Sequence, residues 1–174
     1  MKKLIIVLTA ASLFYAVSAK AQDHKEVNMK LTSPAFQNGA DIPSKFTCEG
    51  RDVNPALNIE NIPEGTKSLA LIVDDPDAPA KTWVHWVVYD ILPKNKIAED
   101  SIPGKQGVND SRGHDWGGPC PPSGTHRYYF KLYALDKVLG LDEGVNKKCL
   151  EDAMEGHILG KAELMGLYRR GPRP

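Results

Sequence analysis

The chain has 174 residues, of which 41% are apolar and 25% are charged, and its 22 basic residues equal its 22 acidic ones in number. This composition is typical of one globular domain and excludes a collagen-like or intrinsically disordered chain. It also argues against a nucleic-acid-binding protein, because affinity for DNA or RNA depends on an excess of cations that neutralise phosphates.

The first 21 residues have the pattern of a secretory signal peptide. Two lysines follow Met1, residues 4–17 are mostly apolar, and small residues in an A-x-A arrangement end at Ala21. The apolar run is shorter than the roughly 20 residues that span a bilayer, which argues against the alternative of a membrane anchor. We therefore expect cleavage after Ala21 and one domain over residues 22–174, periplasmic or secreted, without a transmembrane segment. Removing three lysines would leave 19 basic against 22 acidic residues, a formal net charge of −3.

Strands dominate the rest of the chain. Short β-branched or aromatic segments flanked by turn residues predict strands at residues 28–32, 56–59, 68–74, 83–91 and 127–135. In the last of these, Tyr128 and Phe130 should share one face, opposite Arg127 and Tyr129. The fourth should be a central strand, because both of its faces are apolar. Because side chains alternate along a strand, one face of this strand should carry Trp83, His85, Val87, Tyr89 and Ile91, and the other should carry Val84, Trp86 and Val88.

One helix and a final strand follow. Asn146 is a candidate N-cap, and an apolar stripe from Cys149 to Ile158 predicts a helix that ends at Gly160. Residues 162–168 are predicted as the last strand. Between the strands, two stretches rich in Gly, Pro, Asn and Asp, at residues 33–55 and 93–125, are predicted to be long loops.

Export changes how the three cysteines are interpreted, because an oxidising compartment permits disulfides. Cys48 and Cys120 lie in loop-like stretches flanked by Gly and Pro, whereas Cys149 falls on the apolar face of the predicted helix. We therefore hypothesise a Cys48–Cys120 bridge and interpret Cys149 as a small buried hydrophobic residue.

Candidate site residues occur beside the predicted strands. Asp75 begins a Pro-stiffened acidic loop, although a solvated turn would have the same composition. His85 lies in an apolar strand, where a buried imidazole needs a partner such as Asp75; a satisfied core histidine is the alternative. His126 and Tyr128 follow a rigid Pro/Gly loop and supply donors suited to an oxyanion.

Several motifs together resemble the phosphatidylethanolamine-binding protein family, also called Raf kinase inhibitor-like proteins, and most of all its bacterial branch. The main motifs are DPDAP at 75–79, WVHW at 83–86, GPCPP at 118–122 and GTHRY at 124–128. The similarity continues through FTCEG at 46–50, NPAL at 54–57 and AMEGHIL at 153–159.

The resemblance implies a mainly β (α+β) fold with a large central antiparallel sheet, a smaller second sheet and a few peripheral helices. It also implies a pocket for a small phosphorylated or zwitterionic ligand, such as phosphate or a phosphoethanolamine-like headgroup. The residues carried over to that pocket are Asp75, His85, Pro121, His126 and Tyr128. No cofactor is implied, whereas a protein partner and a homodimer are compatible with the family.

Two other function classes remain open. The first is a hydrolase or other enzyme in which Asp75, His85 and His126 act as acid and base or hold a metal. No short H-x-H or H-x-x-x-H spacing supports a metal site, no G-x-S-x-G elbow is present, and Cys120 could be a nucleophile only if it is not oxidised. We therefore expect no enzyme activity. The second is a kinase or protease inhibitor that acts through surface loops.

For a binding pocket, we expect tighter phosphate binding at mildly acidic pH if His85 or His126 becomes cationic.

Overall fold

The computed structural model describes residues 28–171, so the predicted signal peptide lies outside the described residues. The predicted central strand is present, and the chain forms eight strands and two helical segments within this range. In order they are β1 (Lys30–Thr32), a 3-10 helix (Ser44–Phe46), β2 (Leu57–Glu60), β3 (Ser68–Asp75), β4 (Trp83–Ile91), β5 (Lys96–Ile97), β6 (Lys105–Gln106), β7 (Thr125–Leu135), α1 (Lys147–Met154) and β8 (Ile158–Arg169).

The strands form two antiparallel sheets, which confirms the mainly β fold expected from the sequence. The larger sheet has the order β6-β4-β3-β7-β8, and the smaller has the order β1-β2-β5. All eight residues of β3 are buried, because β4 and β7 flank it and both faces of the sheet are covered there. None of the helices within residues 28–171 has the length and apolarity needed to cross a membrane.

The two faces of the larger sheet cover two separate parts of the core. On one face, alternate residues of β7 such as Tyr128 and Phe130 pack with residues of the smaller sheet such as Leu57, as the alternation in β7 predicts. On the other face, Val87 packs with Leu150 of α1. Burial of apolar side chains on both faces accounts for the nearly continuous hydrophobic runs of β3 and β4.

The predicted helix is shorter than expected. Asn146 caps α1, because its side-chain oxygen accepts a hydrogen bond from the backbone N–H of Cys149 at 2.9 Å. The helix ends at Met154 instead of continuing to Gly160, since Gly156 has a left-handed φ of 76° and Ile158 already pairs with Leu135 in the sheet. The last strand therefore begins four residues before its predicted start at residue 162.

Cys149 is exposed, so its interpretation as a buried hydrophobic residue is wrong. The buried residues of α1 are Leu150 and Met154, which are four positions apart and therefore share one face of the helix. Cys149 lies about 100° around the helix from Leu150, outside that stripe.

The alternation expected for β4 is also wrong at His85, because a β-bulge interrupts it. Val73 pairs with Trp86 whereas the next residue of β3, Asp74, pairs with Val84, so His85 has no residue opposite it. The extra residue places the imidazole on the same face as Trp86, where it meets the Tyr128 ring edge-on at 5.2 Å between centroids. Val87 and Tyr89, which strict alternation would place with His85, lie on the other face.

A second irregularity in β4 changes the face of Ile91. Leu71 pairs with Val88 and Leu69 pairs with Ile91, so two residues of β4 lie opposite one residue of β3. Asp90, one of the two, has a φ of 53°. Ile91 consequently packs in the same part of the core as Val88, and not with Val87 as strict alternation would require.

Candidate functional site

A cavity of about 440 Å³ opens at the end of the larger sheet where β3 ends and β4 begins. Its remaining walls come from β7, from two loops at residues 48–52 and 117–122, and from Ser111. Four of the five predicted site residues line it, namely Asp75, His85, Pro121 and Tyr128, whereas His126 does not. The sequence thus identified residues from four separate stretches that the fold brings around one concavity.

The Asp75 carboxylate is buried and held by two hydrogen bonds. Oδ1 accepts the backbone N–H of Asp77 at 2.8 Å, a turn that the prolines of this loop favour. Oδ2 lies 2.7 Å from Nδ1 of His126, which is also buried. His126 therefore does not line the cavity itself, but it holds the carboxylate of Asp75, which does.

His85 does not bond to Asp75, so the partner expected from the sequence is wrong. Its Nδ1 lies 2.6 Å from the backbone oxygen of Gly117. A carbonyl oxygen only accepts hydrogen bonds, so Nδ1 carries the proton, and in the neutral ring Nε2 has a free lone pair. Burial lowers the pKa of His85 below its ordinary value, and this outweighs the opposite effects of the bond to Gly117 and the charge of Asp75. The neutral imidazole is thus the favoured form.

The Tyr128 hydroxyl is buried and makes no hydrogen bond of ordinary geometry within residues 28–171, although the Asp75 carboxylate and the backbone of Cys120 lie near enough to interact with it. Burial raises the pKa of Tyr128, and the nearby Asp75 carboxylate raises it further. The hydroxyl is therefore protonated throughout the neutral range. Because a buried polar group without a partner is costly, this hydroxyl on the cavity wall is the strongest sign that the cavity takes a polar guest.

A disulfide joins the two loops that form the cavity walls. The structure confirms the predicted Cys48–Cys120 bridge, whose Cα atoms are 5.5 Å apart, and both residues line the cavity. Cys120 is therefore oxidised, so the nucleophile considered for an enzyme is not available in this form of the protein. The loops are also joined by a hydrogen bond from the Gly118 N–H to Oδ1 of Asp52, at 2.8 Å.

Gly118 is required at this point for steric reasons. A Cβ atom there would lie 2.3 Å from Oδ1 of Asp52 and 2.4 Å from the backbone oxygen of Phe46, so any larger residue would push the two loops apart. At the neighbouring Gly117, the nearest atoms to a Cβ would be at 3.5 Å or more, which is an ordinary contact.

The charge lining the cavity is negative. Asp52 and Asp75 are the acidic side chains of the wall, and the described lining residues include neither lysine nor arginine. The nearby arginine of the GTHRY motif, Arg127, points to a different partner: it binds both carboxylate oxygens of Asp77 at 2.6 and 2.9 Å. This hydrogen bonding to Arg127 lowers the pKa of Asp77 to about 2.

Within residues 28–171, no three His, Cys, Asp or Glu side chains are grouped so that they could hold a metal ion.

Some residues of the cavity wall could not be identified from the sequence. Asp52 could not be singled out, because its contact with Gly118 joins positions 66 residues apart. Two exposed residues of the wall were also missed: Trp83 was assigned only to a strand face, and Ser111 lay in a predicted loop. Gly117 and Gly118 could be linked to the site only weakly, because they directly precede the Pro-rich loop that the sequence identifies as rigid.

Comparisons with known proteins agree with this architecture. The family model "Phosphatidylethanolamine-binding protein" matches residues 32–169. A UPF0098 protein of Methanothermobacter thermautotrophicus is 50% identical over 151 residues, which are 82% of this chain and all of that protein. A UPF0098 protein of Chlamydia muridarum is 49% identical over 149 residues, 82% of this chain and 99% of that protein.

Solved structures have the same fold. The crystal structure of a phosphatidylethanolamine-binding protein homologue from Chlamydia trachomatis, CT736, superposes with a TM-score of 0.81 and 45% identity over 83% of this chain and 99% of that one. The crystal structure of E. coli YbcL, described as a member of the mammalian family, gives a TM-score of 0.76 and 29% identity over the same shares of the two chains.

Proposed function

This chain belongs to the phosphatidylethanolamine-binding protein family, and from that premise we propose that its cavity binds a small phosphorylated zwitterion of the phosphoethanolamine type. The proposal makes the protein a binding module and not an enzyme. The observation that carries it is the buried Tyr128 hydroxyl, which faces the cavity without a partner. A ligand oxygen at that point would accept the hydrogen bond that the protein leaves unmade.

The charge of the cavity favours a zwitterion over a bare anion. Phosphate sites in proteins usually supply arginine or lysine, and the described wall of this cavity has neither. Asp52 and Asp75 can instead attract an ammonium group, while Tyr128 donates to a phosphate oxygen. A ligand with both groups on a short linker would satisfy both the acceptors and the donor of the wall.

We also propose that the protein acts outside the cytosol. The N-terminal pattern predicts export, and the Cys48–Cys120 disulfide supports it, because the reducing cytosol disfavours structural disulfides. An exported protein would meet phosphorylated headgroups released from lipids or presented by a membrane surface.

Calorimetric titration of the protein with phosphoethanolamine tests the proposed binding. We expect saturable binding with one ligand per chain, which is lost in the double variant Asp75→Ala/His85→Ala. The matched control is Asp77→Ala/His157→Ala, which removes the same two side-chain types at positions that do not line the cavity. Equal affinities for the two double variants, or no binding by the unaltered protein, would contradict the proposal.

A further inference from the structure

The hydrogen-bonding groups of the cavity wall restrict the protonation state of the ligand. His85 offers the lone pair of Nε2, which makes no hydrogen bond to the residues that the structure describes, because its proton is on Nδ1 against Gly117. Asp75 also presents only acceptors, and each of its oxygens keeps a lone pair beyond the bonds to Asp77 and His126. The Tyr128 hydroxyl is the buried side-chain donor on the same wall, whereas Ser111 and Trp83, which also carry donors and line the cavity, are exposed.

An oxyanion without a proton fits this wall poorly. Its oxygens would accept from Tyr128, but any oxygen near Asp75 or Nε2 of His85 would place two acceptors against each other without a hydrogen between them. Such a contact is repulsive, and burial makes it more so because the dielectric constant is low. A phosphate that keeps one proton avoids the conflict, since its P–OH group donates to an acceptor of the wall while its other oxygens accept.

We infer that the cavity selects an oxyanion that carries a proton and rejects one of the same shape that carries none. This selectivity rests on the proposed binding of phosphoethanolamine and adds which protonation state is bound. Chemically, it means a monoprotonated phosphate monoester in preference to the doubly ionised ester or to a sulfate ester.

The alternative is that a cationic His85 attracts anions in general. The charged and titratable groups around the ring determine whether it is protonated. Its own strand contributes none at the adjoining positions Val84 and Trp86. The groups that act on it from the packed elements are Asp75 of β3, Asp52 of the loop before β2 and Tyr128 of β7. Asp74 acts on it more weakly, and its carboxylate pairs with Lys131 and Lys147. The three carboxylates favour protonation of His85, but desolvation of the ring opposes it more strongly.

A matched pair of probes tests the inference. Phosphoethanolamine and 2-aminoethyl sulfate have the same ammonium group and linker, but only the phosphate ester can keep a proton at mildly acidic pH. The second pKa of a phosphate monoester is about 6, so the ester is largely monoprotonated at pH 5.5 and doubly ionised at pH 8. Both probes are titrated into the protein across this pH range.

We expect phosphoethanolamine to bind at pH 5.5 at least about tenfold more tightly than 2-aminoethyl sulfate, and to lose affinity as the pH rises above its own second pKa. Asp75→Asn should reduce the ratio of the two affinities, because an amide can donate to an unprotonated oxygen. Its near-UV circular dichroism reports whether it folds, and the comparison on the unaltered protein does not depend on this variant.

Three results would count against the inference in different ways. Equal affinities for the two probes would overturn it while leaving the proposed binding intact. A sulfate-ester affinity that rises in acid in parallel with the phosphate-ester affinity would show that a cationic histidine, and not the ligand proton, controls binding. Binding of neither probe at any pH would overturn the proposed function and this selectivity together.

Discussion

Nδ1 of His126 lies 2.7 Å from Oδ2 of Asp75, so this histidine holds a carboxylate of the cavity wall from behind. The backbone N–H of Asp77 holds the other oxygen. Both side chains of the pair are almost fully buried. The position of the carboxylate is therefore fixed before any ligand arrives, which reduces the entropy lost on binding.

Replacing Asp75 by Asn should destabilise the fold by about 1–3 kcal/mol. The amide has one oxygen instead of two, so either the Asp77 N–H or Nδ1 of His126 loses its acceptor in a buried place. Urea unfolding at pH 7 measures the loss. The control, Asp77→Asn, should cost less, because that carboxylate pairs with Arg127 in solvent. Losses of equal size would argue against the buried pair as the cause.

Replacing Tyr128 by Phe should weaken phosphoethanolamine binding by about tenfold without destabilising the protein. The hydroxyl is buried and unpartnered in the free protein, so its removal leaves no new polar group unsatisfied. Stability should stay the same or rise slightly, and calorimetry should detect the weaker binding. Tyr133→Phe, on the opposite face of β7, should leave the affinity unchanged. Unaltered binding by Tyr128→Phe would show that this hydroxyl does not contact the ligand.

Removal of the disulfide should cost about 4 kcal/mol of stability, the chain-entropy value for cysteines 72 residues apart. The double variant Cys48→Ser/Cys120→Ser should also bind phosphoethanolamine more weakly, since the two loops of the cavity wall are then held together less firmly. Urea unfolding and calorimetry are the measurements. Cys149→Ser should change neither quantity, because that thiol is exposed and unpaired. A double variant as stable as the unaltered protein would show that the bridge adds no constraint.

Stability should fall as the pH drops below about 6.5, in part because of His85. Burial lowers the pKa of His85 below 6.5, so below this pH the unfolded chain takes up a proton that the folded protein does not. Stability therefore rises with pH between the folded and unfolded pKa values and is fully retained above the unfolded one. Unfolding free energies at pH 5.5 and 7.5 should differ less in His85→Gln than in the unaltered protein. His157→Gln, an exposed histidine, serves as the control, and an equal difference in all three proteins would refute the assignment.

Six of the eight strands and the main site residues could be predicted because they leave local signals, whereas the two-residue strands β5 and β6 lie in a stretch that was predicted to be a loop. Alternation in β7 places Tyr128 on one face with Phe130, and an imidazole within an apolar strand marks His85. The Gly/Pro context of Cys48 and Cys120 identified the disulfide. In each case the evidence lies within a few residues of the position concerned.

The contacts of those residues could not be predicted, because they depend on the register between strands. Nothing within β4 itself shows that Val73 and Asp74 will pair with residues on either side of His85. The same limitation reversed the roles of the histidines: Asp75 bonds to His126 on one neighbouring strand and not to His85 on the other. The early end of α1 likewise reflects competition from strand pairing at Ile158, which helical periodicity does not record.

The bulge at His85 makes the chemistry of the cavity sensitive to a change in chain length. Deleting Val84, which pairs with Asp74, would put His85 in its place and turn the imidazole towards the side of the sheet that α1 covers, where it could meet no ligand from the cavity. Relatives that keep a histidine in this motif but lack the extra residue would therefore have the right amino acid and an empty site. Strand length at this position should accordingly be as informative about ligand binding as the residue types themselves.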